Sequence, residues 1–171
     1  RNILLIEDAA QAHGSSLGST RAGAFGVAAG FSFFSTKVMT TGEGGMCLSN
    51  DHPLIEKMRF LRDHAMSPEK RYWHPEIGYN FRMTNVQAAI GVAQLEQIDW
   101  FIEVKVRNAG LYGSLLKGIK GITLQPKMSW ARSVYWMHSV LVDEKLFGMS
   151  RDKLMSSLKE KGVDSRPFFY P

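Results

Sequence analysis

Three groups of residues in this chain are of types that do chemistry. The first is Asp8, just past an apolar run from Ile3 to Ile6. α/β sheets place their ligands at the carboxyl ends of strands, and a carboxylate there is costly unless it meets a cation. The second is Ser32 and Lys37, in the stretch GFSFFSTKVMTTGEGG from Gly30 to Gly45. An aromatic run leads to a single lysine, and glycines follow whose backbone can approach a ligand closely. The third is GYNFRMTN, Gly78 to Asn85, a polar and aromatic loop.

One cofactor uses all three. Pyridoxal phosphate (PLP) needs a lysine to hold it as a Schiff base, a carboxylate opposite its pyridinium nitrogen and donors for its phosphate. The carboxylate keeps the ring nitrogen protonated, which makes the ring an electron sink. The lysine must also shuttle a proton. An ordinary lysine, with a pKa of ~10.4, is a poor base at neutral pH, so the job calls for a low-dielectric or cationic site. The aromatic run before Lys37 suits such burial. Each residue alone has a plainer reading. Asp8 fits a helix cap, Lys37 a surface lysine, Asn80 a turn residue and Gln11 a solvated helix residue. The residue types leave both readings open.

Other chemistries find little support. GSSLG, Gly14 to Gly18, matches G-x-S-x-G, but a nucleophile elbow needs its serine directly at a strand end. No G-x-x-x-x-G-K-[ST] occurs, and no G-x-G-x-x-G follows a strand. The five histidines include no H-E-x-x-H pair, and Cys47 is the one cysteine, so a zinc site is not expected. A lone cysteine also excludes an internal disulfide and fits a reducing, cytoplasmic setting. The formal charge of +5 suits an anionic ligand. The basic residues are scattered without a block or an aromatic ladder, which argues against nucleic acid. No apolar run approaches the roughly 18 to 20 residues of a membrane span, so no membrane partner is expected.

The elements that must position these groups follow from the pattern. Ile3 to Ile6 reads as a strand buried on both faces of a parallel sheet. Residues 14–30 hold five glycines and read as loop and turn. Phe31 to Phe34 and Met46 to Leu48 read as short buried strands. Asp51 is the expected N-cap, and Pro53 the first-turn proline, of a helix to about His64. Residues 66–84 read as a loop. A long helix is expected from Asn85 to Leu116, ended by Gly118 and Gly121. Strands are expected at Ile122 to Leu124, Val134 to Val142 and Val163 to Phe169. A helix from Ser150 to Lys161, with Ser150 as N-cap and Gly162 at C′, completes a small α/β unit. The chain starts at Arg1 directly before an apolar run and stops just after another. It therefore reads as an internal segment of a larger protein.

IEDAAQAHG, FSFFSTKVMTTGEGGM and GYNFRMTNVQAAIGVAQLE closely resemble the DegT/DnrJ/EryC1/StrS family of PLP-dependent sugar aminotransferases. The blocks keep the family's order over roughly Ile3 to Glu96, and SRPFFYP near the end also fits. RYWHPEIGYNFRMTN looks most like the branch that makes GDP-perosamine by aminating C4 of GDP-4-keto-6-deoxymannose with glutamate. The resemblance implies an α/β, aspartate-aminotransferase-like fold (PLP fold type I). Residues 1–105 would be part of the large PLP-binding domain, with a mostly parallel sheet. Residues 106–171 would be the end of the long helix and part of the small C-terminal domain. It also implies a homodimer with shared active sites, a nucleotide-linked keto-sugar as substrate, glutamate and 2-oxoglutarate as the donor pair, and a role in polysaccharide (O-antigen) biosynthesis.

Carried over position by position, Lys37 is the lysine that holds PLP. Asp8 pairs with the pyridinium nitrogen, Gln11 lies beside the ring and its 3′-oxygen, and Ala10 packs on the ring face. Ser32 bonds the phosphate, and Asn80 reaches the phosphate of the partner subunit's cofactor. His13, Glu43, Arg82 and Arg166 stay open between substrate contacts and structural roles. Two rivals are a dehydratase of the same family and a regulatory homologue without turnover. Dehydratases typically carry histidine at the lysine position, so Lys37 argues against the first. The intact set of Asp8, Gln11, Ser32, Lys37 and Asn80 argues against the second.

Overall fold

The computed structural model describes residues 2–170, so Arg1 and the closing Pro171 of SRPFFYP lie outside the described residues. In chain order the first elements are β1 (Ile6–Asp8), β2 (Ser16–Leu17), β3 (Thr20–Arg21), β4 (Ala28–Ser32), β5 (Gly45–Leu48) and α1 (His52–Arg62). There follow α2 (Asn85–Leu95), α3 (Ile98–Leu116), β6 (Ile122–Leu124), β7 (Ala131–Arg132), β8 (Val140–Val142), α4 (Glu144–Phe147) and α5 (Arg151–Glu160). The chain forms two compact units, Arg1–Arg107 with Lys127–Trp136, and Asn108–Pro126 with Met137–Pro171.

In the first unit a mixed α/β sheet runs in the order β1-β4-β5. β1 and β4 are parallel, as expected, but the strand covers Ile6–Asp8 and not the expected Ile3 to Ile6, while β5 returns antiparallel to β4. A small antiparallel sheet, β3-β2-β7, stands where the glycine-rich loop was expected. The apolar run before Asp8 differs from expectation in its burial. Ile3, Leu4 and Ile6 are 77%, 80% and 72% exposed, because no element among the described residues lies over them. The core instead gathers on Val38, Ile102 and Val134, with Ile98, Phe101 and Trp136 packed around them.

The expected long helix is two helices. α2 starts with a capping box: Thr84 Oγ1 accepts from the Gln87 N–H, and the Gln87 side chain accepts from the Thr84 N–H. At Glu96 and Gln97 the bonding tightens, with Gln97 N–H donating to the Gln94 carbonyl at 3.2 Å, before α3 resumes. No proline or glycine marks that break. α1 keeps its expected cap, Asp51, which accepts from the Leu54 N–H.

In the second unit β6 and β8 pair antiparallel, and Ser150 caps α5 by accepting from Lys153 N–H. Gly162 has φ 79°, as a C′ glycine should. The expected strand from Val134 shrinks to Val140–Val142. Tyr135 has φ 49°, which breaks any extended run there. Residues 163–169 form no strand, since no strand among the described residues pairs with them.

Glu7, one residue before Asp8, locks the glycine-rich loop to the sheet. Its carboxylate accepts backbone N–H bonds from Gly23 at 2.7 Å, Phe25 at 2.6 Å and Gly26 at 2.8 Å. The Gly23 bond does most to hold the Glu7 pKa below its ordinary 4.5, and burial offsets only part of this. A lowered carboxylate pKa means stability that is present above about pH 4.5 and lost as pH falls through the lower folded value. Glu7→Gln should therefore lower the melting temperature at neutral pH, and the gap to wild type should close as Glu7 protonates. Thermal unfolding followed between about pH 3 and pH 7 checks this; a gap independent of pH would contradict it.

Candidate active site

Register alone puts two of the expected site residues together. Asp8 pairs with Gly30 across the parallel β1–β4 ladder. Ser32 lies two residues beyond Gly30, so Asp8, Gly30 and Ser32 share one face of the sheet at its carboxyl end. Nothing stands within 4 Å of the point where a Gly30 Cβ would be, so the surface between carboxylate and hydroxyl is open. Asp8 is exposed, and its Oδ1 accepts from the Ala10 N–H at 3.1 Å. It therefore closes a turn, and no helix follows it. Ala10 is half-buried and Gln11 exposed on that turn.

Lys37 stands on a turn that closes on Phe33. The Phe33 N–H donates to the Gly44 carbonyl at 2.8 Å. The Phe33 carbonyl accepts from both Thr41 N–H and Thr40 Oγ1, each at 2.9 Å. Gly44 has φ 152°, and a Cβ there would lie 2.5 Å from Thr41 Oγ1, so only glycine fits. α2 braces the turn from outside. Gln94 Oε1 accepts from Thr40 N–H at 3.2 Å, and Gln87 Nε2 donates to the Glu43 carbonyl at 3.0 Å. Glu43 thus serves through its backbone, with its side chain exposed. Lys37 itself is half-buried, and its Nζ lies 4.3 Å from the centroid of the Trp136 ring.

The opposite face of the same strands is structural. Glu7 alternates with Asp8, and Phe31 with Ser32. His13 packs there, 4% exposed, with its ring 5.2 Å from Phe31 and 6.0 Å from Phe33. Burial chiefly pushes its pKa below the ordinary 6.5 and nearby Lys37 adds to this, while the Ser32 backbone pulls the other way. Neither ring nitrogen has a hydrogen bond of good geometry, so the Ser32 contact is weak and His13 rests neutral.

Asn80 stands apart, exposed, on a loop whose backbone bridges to Asp63. Arg82 of that loop pairs with Asp63 Oδ2 at 2.9 Å, a contact within the fold. The guanidinium of Arg166 lies 5.7 Å from the Phe169 ring. Two residues that sequence reasoning passed over matter here. Glu7 was visible only as a second acid beside Asp8. Trp136 carried no signal, because only the fold brings it to Lys37. Among the described residues no group of histidine, cysteine or carboxylate side chains could hold a metal, and no helix is long and apolar enough to cross a membrane.

The sequence profile of the DegT/DnrJ/EryC1/StrS aminotransferase family matches residues 1–171. The chain is 44% identical over 171 residues to a GDP-perosamine synthase of Caulobacter vibrioides, covering 99% of this chain and 46% of the relative. It is 42% identical to a GDP-perosamine synthase of Vibrio cholerae, with 99% and 46% covered. Among solved structures it is similar to the Helicobacter pylori aminotransferase PseC, which acts in pseudaminic acid biosynthesis, with a TM-score of 0.90, 28% identity, and coverage of 99% of this chain and 46% of that one. The chain thus spans about half the length of the curated relatives it matches. It belongs to the DegT/DnrJ/EryC1/StrS aminotransferase family and shares the α/β fold of its solved members.

Proposed function

We propose that the protein to which this chain belongs is a PLP-dependent aminotransferase. Its substrate is a nucleotide-linked 4-keto-6-deoxy sugar, with glutamate as amino donor and 2-oxoglutarate as the product of that donor. The observations that carry this reading are the open face holding Asp8 and Ser32 and the closed turn that presents Lys37 five residues after Ser32. The donor set suits PLP: a carboxylate for the ring nitrogen, a hydroxyl for the phosphate and an amine. Gly30 leaves open the surface that a side chain would fill. The relatives named GDP-perosamine synthase support a GDP-linked sugar.

Bound at this face, the cofactor supplies an electron sink that acidifies the carbon beside the reacting nitrogen. Asp8 would keep a proton on the ring nitrogen, and Ala10 and Gln11 would flank the ring. Ser32 Oγ would donate to a phosphate oxygen. Lys37 Nζ would hold the cofactor covalently. When free, the same nitrogen would carry the proton that leaves the donor's Cα and the one that reaches the sugar carbon receiving the amine. Asn80 serves the cofactor phosphate of the partner subunit in a homodimer with shared sites, which suits its exposure on a separate loop. Residues 1–105 then form part of the large domain and 106–171 part of the small one, except that Lys127–Trp136 packs with the first unit. The setting is cytoplasmic, and the amino sugar feeds polysaccharide assembly such as O-antigen.

Lys37→Ala in the full-length protein should lower turnover by roughly 10³-fold or more. Mass spectrometry of amino-sugar products from GDP-, UDP- and dTDP-linked keto-sugars measures it, and retained activity would overturn the assignment. Asp8→Asn separates the two roles of that residue. Asparagine can still accept from the Ala10 N–H, so the melting temperature should hold while turnover falls by roughly 10²-fold. Equal losses of stability and activity would make Asp8 a turn residue alone.

A further inference from the structure

Lys37 meets a residue from far along the chain. Its Nζ lies 4.3 Å from the Trp136 ring centroid. The indole N–H donates to the Thr36 carbonyl at 2.7 Å, which ties the ring to the residue just before the lysine. The Trp136 carbonyl in turn accepts from Lys105 Nζ at 3.2 Å. Two residues earlier, Val134 is 1% exposed and packs against Val38, the residue just after the lysine. Thr36 and Val38 are therefore both fastened to the Val134–Trp136 segment.

The backbone between those anchors is strained. Tyr135 has φ 49°, a left-handed conformation that a bulky L-residue rarely adopts. Ser133 Oγ accepts its N–H at 3.2 Å and helps hold it there. Strain of this kind persists when surrounding contacts over-determine it. Here one contact on each side reaches the lysine turn, Val134 through Val38 and Trp136 through the Thr36 carbonyl. Their effect is to lay the face of an indole, the ring that attracts cations most strongly, beside a half-buried ammonium.

We propose that Trp136 is a positioning residue for Lys37. Its ring holds the protonated amine whenever Nζ is not joined to the cofactor. The inference rests on the assignment of Lys37 made above. A freed lysine side chain has many rotamers open to it, and a ring that attracts its ammonium keeps it beside the site from which it must act again.

The test uses the full-length protein, held in the amine form of its cofactor so that Lys37 Nζ is free. Trace acetylation at about pH 8, with peptide mass mapping, compares wild type with Trp136→Phe and Trp136→Leu, using Lys57 as internal reference. The ring should shield Lys37. Its labelling should rise from wild type through Trp136→Phe to Trp136→Leu, by roughly two- to five-fold at the end of the series, with Lys57 unchanged. Equal Lys37 labelling in all three proteins would overturn the proposal. Should Trp136→Leu fail to fold, faster Lys57 labelling reveals it and Trp136→Phe decides: an intermediate rise supports the proposal, and unchanged labelling overturns it. Retained turnover in Lys37→Ala would count against the site assignment instead, so the two failures read out separately.

Discussion

Phe33 lies just beyond the end of β4, and its backbone must be paired inside the protein because the residue is buried. It does so within the lysine turn. Its N–H reaches Gly44, and its carbonyl takes Thr41 N–H and Thr40 Oγ1 together. This one doubly bonded carbonyl folds the chain back on itself and carries Lys37 with it. The threonines and glycines after the lysine are the parts of that closure. Gln87 and Gln94 on α2 brace it from one side, and Trp136 meets it from a distant segment. The capping box at Thr84 fixes the start of α2, so a local helix signal bears on the lysine through Gln87.

The parallel β1–β4 pair then divides its labour by face. One face has Asp8, an open Gly30 and Ser32. The other has Glu7, Phe31 and buried His13. Neighbouring acids thus meet opposite fates. Glu7 spends its charge on three backbone N–H groups, while Asp8 bonds one and stays open to solvent. His13 follows the same logic in reverse. Burial outweighs every group that favours its charge, so it packs as a neutral ring among aromatics. The histidine belongs to the support of the site, with its ring against the strand's structural face.

Local signals were the legible part. Asp51, Ser150 and Gly162 cap as their types and neighbours predict, because caps depend on a few adjacent residues. The Asp8 position was legible too, since a carboxylate ending an apolar run marks the end of a parallel strand. What lay hidden depended on partners elsewhere. Ile3 to Ile6 has the composition of a doubly covered strand, yet nothing among the described residues covers it. The break at Glu96 and Gln97 has no glycine or proline to announce it. Val134 reads as the start of a strand, but packing against Val38 and Ile102 draws it elsewhere. Trp136 reads as an ordinary aromatic until the fold sets it beside Lys37.

On the function proposed above, the turn closed at Phe33 delivers Lys37 as the one amine that anchors PLP. Borohydride reduction of the full-length protein loaded with PLP, followed by digestion and peptide mass mapping, tests it most directly. The cofactor's mass should be fixed on the peptide that carries Lys37. Cofactor fixed on another lysine, such as Lys57 or Lys70, or on none, would contradict it.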